Sequence, residues 1–327
     1  MKTAFSPVAP LTFQTTAEWA AARRNMIGAS ESPALMGANP WRSAFGVYSH
    51  KKGEEVEETS KMRAGQVFEH AIATFYAGEN SLNLYTPAEW ENLRLARVGS
   101  ACCLAHDDRV VWRIPGSVLS CTPDFFVTDG AEFEAPLEVK RIDPDQRMKW
   151  KDGPPIYYVL QVQQQLGVLR ECGMPFDEGL LVADFGGDDV RPYYIKFDAD
   201  LWLLIRETCE RFWREHVAPS IPPEPDHLTS SEEVGRLWKR AVVGSSVEVD
   251  PIVFAKYRDA KQALKIAEDA ADQAQAALKS AMKEAEGATV GGVLVATWKN
   301  RVANISAKAA YTQTTRPLIL TKAAQAV

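Results

Sequence analysis

Three charged residues stand where strand-like runs would be expected to carry apolar side chains. Glu138 and Lys140 share one such run, and Asp124 lies in an earlier run from 120 to 127. Residues i and i+2 of a strand point to the same face, so Glu138 and Lys140 project together while Val139 points into the core. A turn-forming segment separates the two runs. Antiparallel pairing would therefore place two carboxylates beside one lysine.

This set of side chains suits the hydrolysis of phosphodiester bonds. Mg²⁺ prefers oxygen ligands and usually binds through one or two carboxylates, several waters and a substrate phosphate. The ion lowers the pKa of a bound water and neutralises developing charge, and Lys140 would position or deprotonate that water. Pro-Asp pairs are common in turns and Glu-Val-Lys is an ordinary edge-strand triplet, so neither motif alone indicates a site. Their order and spacing together favour one.

Periodicity predicts the elements that must position these residues. Residues 15–24 read as a helix with Thr15 as its N-cap and Glu18 three residues later. A helix over 61–77 carries Glu69 within its apolar stripe. The remaining predicted elements are a helix over 43–52, short strands within 109–142, a helix after Pro154-Pro155, strands at 179–185 and 191–197, and a helix over 199–217.

Composition divides the chain into four parts. The proline-rich segment 221–226 reads as a stiff linker. Small and apolar residues from Tyr257 to Ala285 alternate spacings of three and four, the period of a coiled-coil seam. Glycines from Gly287 onward are expected to stop this helix, and runs at 293–298 and 316–320 predict a hairpin. The predicted parts are a first domain over 1–220, a linker with a short helix over 221–249, a coiled-coil-like helix over 250–287 and a small β-hairpin unit over 288–327.

Overall composition sets broad limits on function. The chain has 327 residues, 46% of them hydrophobic, and a formal net charge of −6. That charge disfavours coating nucleic acid through bulk electrostatics, but it allows an acidic metal site beside a local basic channel. Five cysteines without CxxC spacing indicate reduced thiols. No apolar run is long enough to span a bilayer and the N-terminus lacks a secretory pattern, so we expect no membrane partner and a cytoplasmic location.

Six motifs follow one another in the order found in a known family. They are Gly28-Ala29-Ser30-Glu31, Gly37-Ala38-Asn39-Pro40-Trp41, Gly65-Gln66-Val67-Phe68-Glu69, Thr122-Pro123-Asp124, Glu138-Val139-Lys140 and Tyr157-Tyr158-Val159-Leu160-Gln161-Val162-Gln163. Residues 20–215 thereby resemble phage-type exonucleases similar to lambda exonuclease and the YqaJ-like viral recombinases, within the PD-(D/E)xK nuclease superfamily. The resemblance implies an α/β restriction-endonuclease-like core, a mixed sheet flanked by helices, to which this chain adds a coiled-coil arm and a small β unit.

The resemblance also implies roles for individual residues. The metal ligands would be Asp124, Glu138, Glu69 and the backbone carbonyl of Val139, with Mg²⁺ as the cofactor and Mn²⁺ as a substitute. Lys140 matches the catalytic lysine, and Gln161 matches a glutamine of the following helix. Gln165 at i+4 can share the face of Gln161, whereas Gln163 lies about 200° round the helix. A glutamate or glutamine on a solvated helix surface is the plain alternative for Glu69 and Gln161.

Relatives that degrade duplex DNA from a 5′ end hold the terminal phosphate with an arginine and a serine. Arg23 and Ser30 match these residues, Arg24 is the rival arginine, and Thr122 stands where relatives carry a small hydroxyl residue. Arginine suits phosphate because it donates bidentate, charge-assisted hydrogen bonds. Two cations at a helix C-terminus are an equally good explanation of the arginine pair. Trp41 and Trp150, in turn-like surroundings beside basic residues, are the candidates for stacking on unpaired bases.

The function expected from these residues is a magnesium-dependent exonuclease that digests linear double-stranded DNA from 5′ to 3′. Its product would be a 3′ single strand for a phage-type annealing protein, in a bacterial host cell if the chain is phage-encoded. The family often forms rings that enclose DNA, which predicts a homo-oligomer such as a trimer, although the alanine-rich arm can instead fold back within one chain. The alternatives are an endonuclease or single-strand nuclease of the same superfamily, and a non-catalytic module that binds DNA ends or a partner.

Overall fold

The computed structural model describes residues 8–54, 58–97, 99, 104–106 and 108–299. The chain divides into two compact units, residues 1–237 and 238–327. The described α-helices are α1 Thr16–Arg23, α2 Ser32–Leu35, α3 Ala44–Lys51, α4 Ser60–Glu79, α5 Pro87–Arg97, α6 Ile156–Glu171, α7 Ala199–Phe212, α8 Ser231–Leu237 and α9 Pro251–Met282, with a 3₁₀ helix at Pro144–Trp150 and a π-helical turn at Trp213–Val217. The strands are β1 Leu11–Phe13, β2 Asn83–Tyr85, β3 Arg109–Arg113, β4 Ser120–Cys121, β5 Phe125–Thr128, β6 Glu134–Arg141, β7 Glu178–Asp184, β8 Val190–Lys196, β9 Gly287–Val290 and β10 Val293–Thr297.

A five-stranded mixed sheet forms the centre of the first unit. Its strand order is β2-β5-β6-β7-β8. The β6 and β7 strands are parallel, and every other neighbouring pair is antiparallel. Parallel strands need a long crossover connection, and helix α6 lies in the chain between β6 and β7. The mixed sheet and its flanking helices agree with the expected fold class.

Side chains of the central strands point alternately to the two faces of this sheet, and both faces are buried. One face packs Phe125, Val139 and Val182 against Ile72 and Ala73 of α4. The other face belongs to a larger core that includes side chains of α5, α6 and α7. Because successive strand residues point to opposite faces, burying Val139 under α4 directs Glu138 and Lys140 toward the side of α6. The prediction that Val139 lies in the core while Glu138 and Lys140 point to the opposite face is confirmed.

The N-terminal elements are attached to the core by a small sheet and a bridge. Strands β1, β3 and β4 form a three-stranded sheet, and Ile27 pairs with Leu119 in a parallel bridge. Helix α1 begins with the expected capping box, in which Thr15 and Glu18 satisfy each other's backbone N–H groups. This arrangement fixes the end of α1 next to the start of β4.

The described part of the second unit, residues 238–299, contains one long helix and one hairpin. Helix α9 starts at an Asp250 cap and ends at Met282, so it stops earlier than the glycines suggested. Leu264 and Leu278 of the predicted seam are exposed. The hairpin pairs β9 with β10, whereas the predicted strand at 316–320 lies outside the described residues.

Candidate active site

The pairing of β5 with β6 brings the two predicted carboxylates together. Phe125 pairs with Leu137, so Asp124 and Glu138 come next in the antiparallel register. The Val139 N–H donates a hydrogen bond of 2.8 Å to Oδ2 of Asp124. The expectation of a continuous strand over 120–127 is wrong, because β4 ends at 121 and β5 begins at 125. Asp124 therefore lies between β4 and β5, and its side chain accepts a hydrogen bond from the backbone of β6.

Three side chains donate hydrogen bonds to the carboxylate of Glu138, which is 2% exposed. Lys140 Nζ and Gln161 Nε2 both donate to Oε1, and Gln165 Nε2 donates to Oε2 at 2.5 Å. Both glutamines of the predicted α6 face thus reach the site. Gln163 points elsewhere and donates to the Lys196 carbonyl at 2.6 Å. Glu138 is therefore the shared hydrogen-bond acceptor for Lys140, Gln161 and Gln165.

A cavity of about 620 Å³ unites the predicted residues of several elements. Glu69 of α4, Asp124, Glu138, Lys140 and Gln161 all line it. Arg23, Ser30 and Thr122 line the same cavity, together with Gly28 and Gln66. The acidic residues and the candidate phosphate-binding residues therefore face one shared space.

Crowded negative charge shapes the electrostatics of this cavity. Burial, followed by the nearby Glu138 carboxylate, raises the pKa of Asp124 well above its usual value. Burial and Glu138 likewise raise the pKa of Glu69. For Lys140, burial alone would lower the pKa, but the carboxylates of Glu138 and Asp124 outweigh it and hold the pKa above its usual value. One ammonium group does not compensate three carboxyl groups, so the cavity favours an additional cation.

The donor set fits a hard divalent cation. Among the residues that the structure describes, no three His, Cys, Asp or Glu side chains are close enough to hold a metal by themselves. Mg²⁺ does not require such a cage, because it keeps several waters and takes one or two carboxylates. Gln165 Oε1 is buried without a hydrogen-bond donor in the described part of the chain, so it remains available to accept from a water. Asp124, Glu138 and the Val139 carbonyl are the groups that would hold the ion, and Glu69 lines the same cavity.

Arg23 is placed at the cavity and Arg24 is not. Arg23 is the last residue of α1, and its guanidinium lies 4.5 Å from the centroid of the Trp19 ring. Arg24 forms the C-cap of the helix, where its backbone N–H donates to the Ala21 carbonyl. Ser30 is exposed at the cavity. The sequence left open which of the two arginines faces the site, and the geometry favours Arg23.

Residues 18–172 match the family profile of the YqaJ-like viral recombinase domain. The matched segment is just under half of the chain, and it is similar to that domain. The uncharacterized protein YqaJ of Bacillus subtilis (strain 168) is 25% identical over 294 residues, which cover 88% of this chain and 84% of that protein. All of the cavity residues named above fall inside the matched segment, whereas β7, β8 and α7 follow it.

Two solved structures resemble the YqaJ-like chain at low identity. One is an alkaline exonuclease, LHK-Exo, from Laribacter hongkongensis, and the other is LHK-Exo in complex with dAMP. Each is 18% identical, with a TM-score of 0.46, and the match covers 68% of this chain and 98% of that chain.

Within the described residues, no helix is both long and apolar enough to cross a bilayer.

The two candidate stacking tryptophans of the YqaJ-like domain have different environments. Trp41 is 59% exposed, contacts Tyr157 edge to face with centroids 5.1 Å apart, and lies under Lys149. Trp150 is only 3% exposed and packs between the rings of Tyr158, Phe185 and Tyr193. The prediction that Trp150 stacks on DNA bases is wrong, because the 3₁₀ helix that carries it turns the ring into the core.

Sequence reasoning missed several residues that organise the YqaJ-like site. The run from Gln163 to Gln165 is fully buried and does not lie on a helix surface. Gln164 Nε2 donates to the carbonyls of Ile27 and Ser120, which ties the N-terminal segment to β4. Glu31 is 2% exposed and bonds to Lys51. A polar run within an otherwise apolar helix was the available signal for the glutamines, but no spacing connects Glu31 with Lys51.

Proposed function

We propose that the chain is a divalent-metal-dependent nuclease that digests linear double-stranded DNA from its ends, from 5′ to 3′. The observation that carries the proposal is the shared cavity, in which Asp124, Glu138 and Lys140 face Arg23 and Ser30. The first three residues suit phosphodiester hydrolysis, and the last two suit a terminal phosphate. The family match supports the same activity, because it spans every residue of the set.

Each side chain has a distinct part in the proposed reaction. A bound Mg²⁺, or Mn²⁺ in its place, would supply Lewis-acid stabilisation and a more acidic water. Glu138 is held in one orientation by Gln161 and Gln165, so the ligand geometry is set before substrate arrives. Lys140 is protonated at neutral pH, since its pKa is raised. Its ammonium group would bond to the attacking water or stabilise charge on the phosphoryl oxygens.

Substrate contacts follow from the rest of the cavity. Arg23 would make bidentate hydrogen bonds to a 5′-phosphate, with Ser30 and Thr122 adding short hydroxyl donors. Trp41 is the exposed ring on which an unpaired base would stack, next to the ammonium group of Lys149. Phosphate contacts position a duplex without reading its sequence, so the proposed activity is not sequence-specific.

The proposal extends to organisation and partners. The nuclease would occupy residues 1–220, with a linker over 221–249, a coiled-coil-like helix over 250–287 and a hairpin unit over 288–327. The exposed leucines of α9 support self-association into a homo-oligomer such as a trimeric ring around DNA. The 3′ single strand would pass to an annealing protein. Sedimentation as a monomer at micromolar concentration would remove the ring.

The decisive assay compares three DNA substrates in the presence of Mg²⁺. They are linear duplex with a 5′-phosphate, linear duplex with a 5′-hydroxyl and closed circular duplex, each scored with labels at defined ends. The exonuclease is expected to release nucleotides from the 5′ end of linear DNA and to prefer the phosphate. Cleavage of closed circles would favour an endonuclease. Binding without any cleavage under several divalent metals would favour a non-catalytic module.

A further inference from the structure

A buried carboxylate closes the turn that carries Ser30. The Gly28 N–H donates to Oε2 of Glu31 at 2.9 Å, and the Glu31 N–H donates to the Gly28 carbonyl at 2.9 Å. These reciprocal bonds fix both ends of the turn. Ser30 lies between them and is exposed at the cavity. The backbone that carries Ser30 is therefore held in place by the Glu31 side chain.

A buried lysine extends this link to the end of α1. The side chain of Lys51, in α3, is fully buried, and its Nζ donates to Oε2 of Glu31 at 2.6 Å. The same Nζ donates to the backbone carbonyl of Arg23 at 2.9 Å. One ion pair thus joins α3, the Ser30 turn and the last residue of α1.

The Arg23 guanidinium is packed closely against the tied backbone. A Cβ built on Gly28 would lie 3.0 Å from Nη2 of Arg23. Within the described residues the guanidinium stacks on Trp19 and has no hydrogen-bond acceptor, which leaves its donors available to a ligand. Its position is consequently set by the two backbone segments that Glu31 and Lys51 hold.

The charges around Glu31 also suit an anion. Nη1 of Arg42 lies 3.7 Å from Oε1 of Glu31, and Nδ1 of His50 lies 3.3 Å from the same oxygen. The positively charged side chains of Arg23, Arg42 and Lys51 thus surround the single carboxylate of Glu31. The surplus positive charge would favour a phosphate group beside the turn.

We propose that Glu31 and Lys51 are positioning residues for recognition of the DNA end. They hold Arg23 and Ser30 at the spacing that a terminal 5′-phosphate requires, without touching the DNA themselves. The inference rests on the proposed function, and it assigns to this buried ion pair the discrimination between a 5′-phosphate and a 5′-hydroxyl.

The test uses full-length Glu31→Gln and Lys51→Met proteins, with kcat and KM measured on both kinds of linear duplex. Misplacing binding groups by about 1 Å can cost about a hundredfold, so we expect the preference for the 5′-phosphate to fall by about tenfold to a hundredfold. The loss should appear in KM for the phosphorylated duplex, with kcat changed less. A parallel loss on both substrates would show a merely structural role and overturn the inference. Glu79→Gln, at an exposed glutamate of α4, is the matched control.

A second variant keeps the inference testable if loss of the ion pair prevents folding. Gly28→Ala leaves Glu31 and Lys51 intact but presses a methyl group against the Arg23 guanidinium. A reduced phosphate preference in this variant supports the inference, and an unchanged preference overturns it.

Binding to Lys140→Ala protein, with and without Glu31→Gln, separates this inference from the proposed nuclease. Fluorescence anisotropy with 5′-phosphorylated and 5′-hydroxyl duplexes reports discrimination without any cleavage. Wild-type protein that digests no DNA counts against the proposed function. Equal affinity of the Lys140→Ala protein for the two duplexes overturns the positioning inference, whether or not the wild type digests DNA. Discrimination that disappears on adding Glu31→Gln supports it.

Discussion

Two buried carboxyl groups of the first unit, those of Glu31 and Asp124, have pKa values shifted in opposite directions. For Glu31, burial would raise the pKa, but Lys51, His50 and the nearby arginines hold it well below its usual value. For Asp124, burial and the Glu138 carboxylate raise the pKa well above its usual value, with Lys140 opposing them. Burial is common to both, so the difference lies in the neighbouring charges.

The contrast distinguishes a completed framework from a site that requires a ligand. The Glu31 cluster has more cations than carboxylates, and its carboxylate is satisfied by hydrogen bonds from the protein. The Asp124 cluster has three carboxyl groups around one lysine, so it is relieved by a divalent cation. On the proposed account, the Asp124 cluster would bind the metal ion, and the surplus positive charge of the Glu31 cluster would lie beside the 5′-phosphate.

The largest expected effect concerns the acidic cluster. Glu138→Gln keeps the size of the side chain but removes the negative charge that would bind the metal. Cleavage of linear duplex should fall by about a hundredfold to a thousandfold, with DNA binding retained. Initial rates measured against the Glu79→Gln control would show this, and activity within about threefold of wild type would exclude Glu138 from the reaction.

Next in size is the effect of breaking the Glu31 framework on stability. Glu31→Gln leaves the buried Lys51 without its counter-charge, and we expect a loss of about 3 kcal/mol in the free energy of unfolding. Urea unfolding at pH 7 measures the change. A loss below about 0.5 kcal/mol would mean that the ion pair contributes no more than an exposed one.

The corresponding change at Asp124 should have the opposite sign. Asp124→Asn keeps an acceptor for the Val139 N–H while removing one of the repelling charges, so we expect the metal-free protein to gain about 1 kcal/mol. Thermal unfolding in EDTA checks this. Added Mg²⁺ should stabilise the wild type and reduce the difference, because the ion binds the folded state. Destabilisation in EDTA would contradict the charge-crowding account.

The smallest predicted effect is on the pH dependence of the Glu31 contribution. Because the folded pKa of Glu31 is lowered, its stabilisation is present above the unfolded pKa of about 4.3 and is lost as pH falls through the folded value. The stability difference between wild type and Glu31→Gln should therefore be constant from pH 7 to about pH 5 and shrink below about pH 4. Unfolding free energies across this range provide the measurement, and a difference that already shrinks between pH 7 and pH 6 would contradict the assignment to the Glu31 carboxylate.

The local sequence pattern predicted the strands of the candidate site better than it predicted the contacts around Glu31. The i, i+2 rule placed Glu138 and Lys140 on one face with Val139 in the core, and the helical repeat placed Gln161 and Gln165 together. The sequence offers no comparable local pattern for contacts between residues that are far apart in the chain. The pairing of Glu31 with Lys51 depends on how α3 packs, and Trp150 became a core residue because the 3₁₀ helix before α6 turns it inward.

The central claim is that the Asp124 and Glu138 cluster, with Lys140, hydrolyses phosphodiester bonds in the presence of a divalent metal. Digestion of 5′-phosphorylated linear duplex by wild-type and Lys140→Ala proteins, each with Mg²⁺ and with EDTA, tests it directly. We expect digestion only by the wild type with Mg²⁺, and a loss of about 10²- to 10³-fold for Lys140→Ala, with DNA binding preserved. Digestion that persists in EDTA, or equal digestion by the two proteins, would contradict the claim.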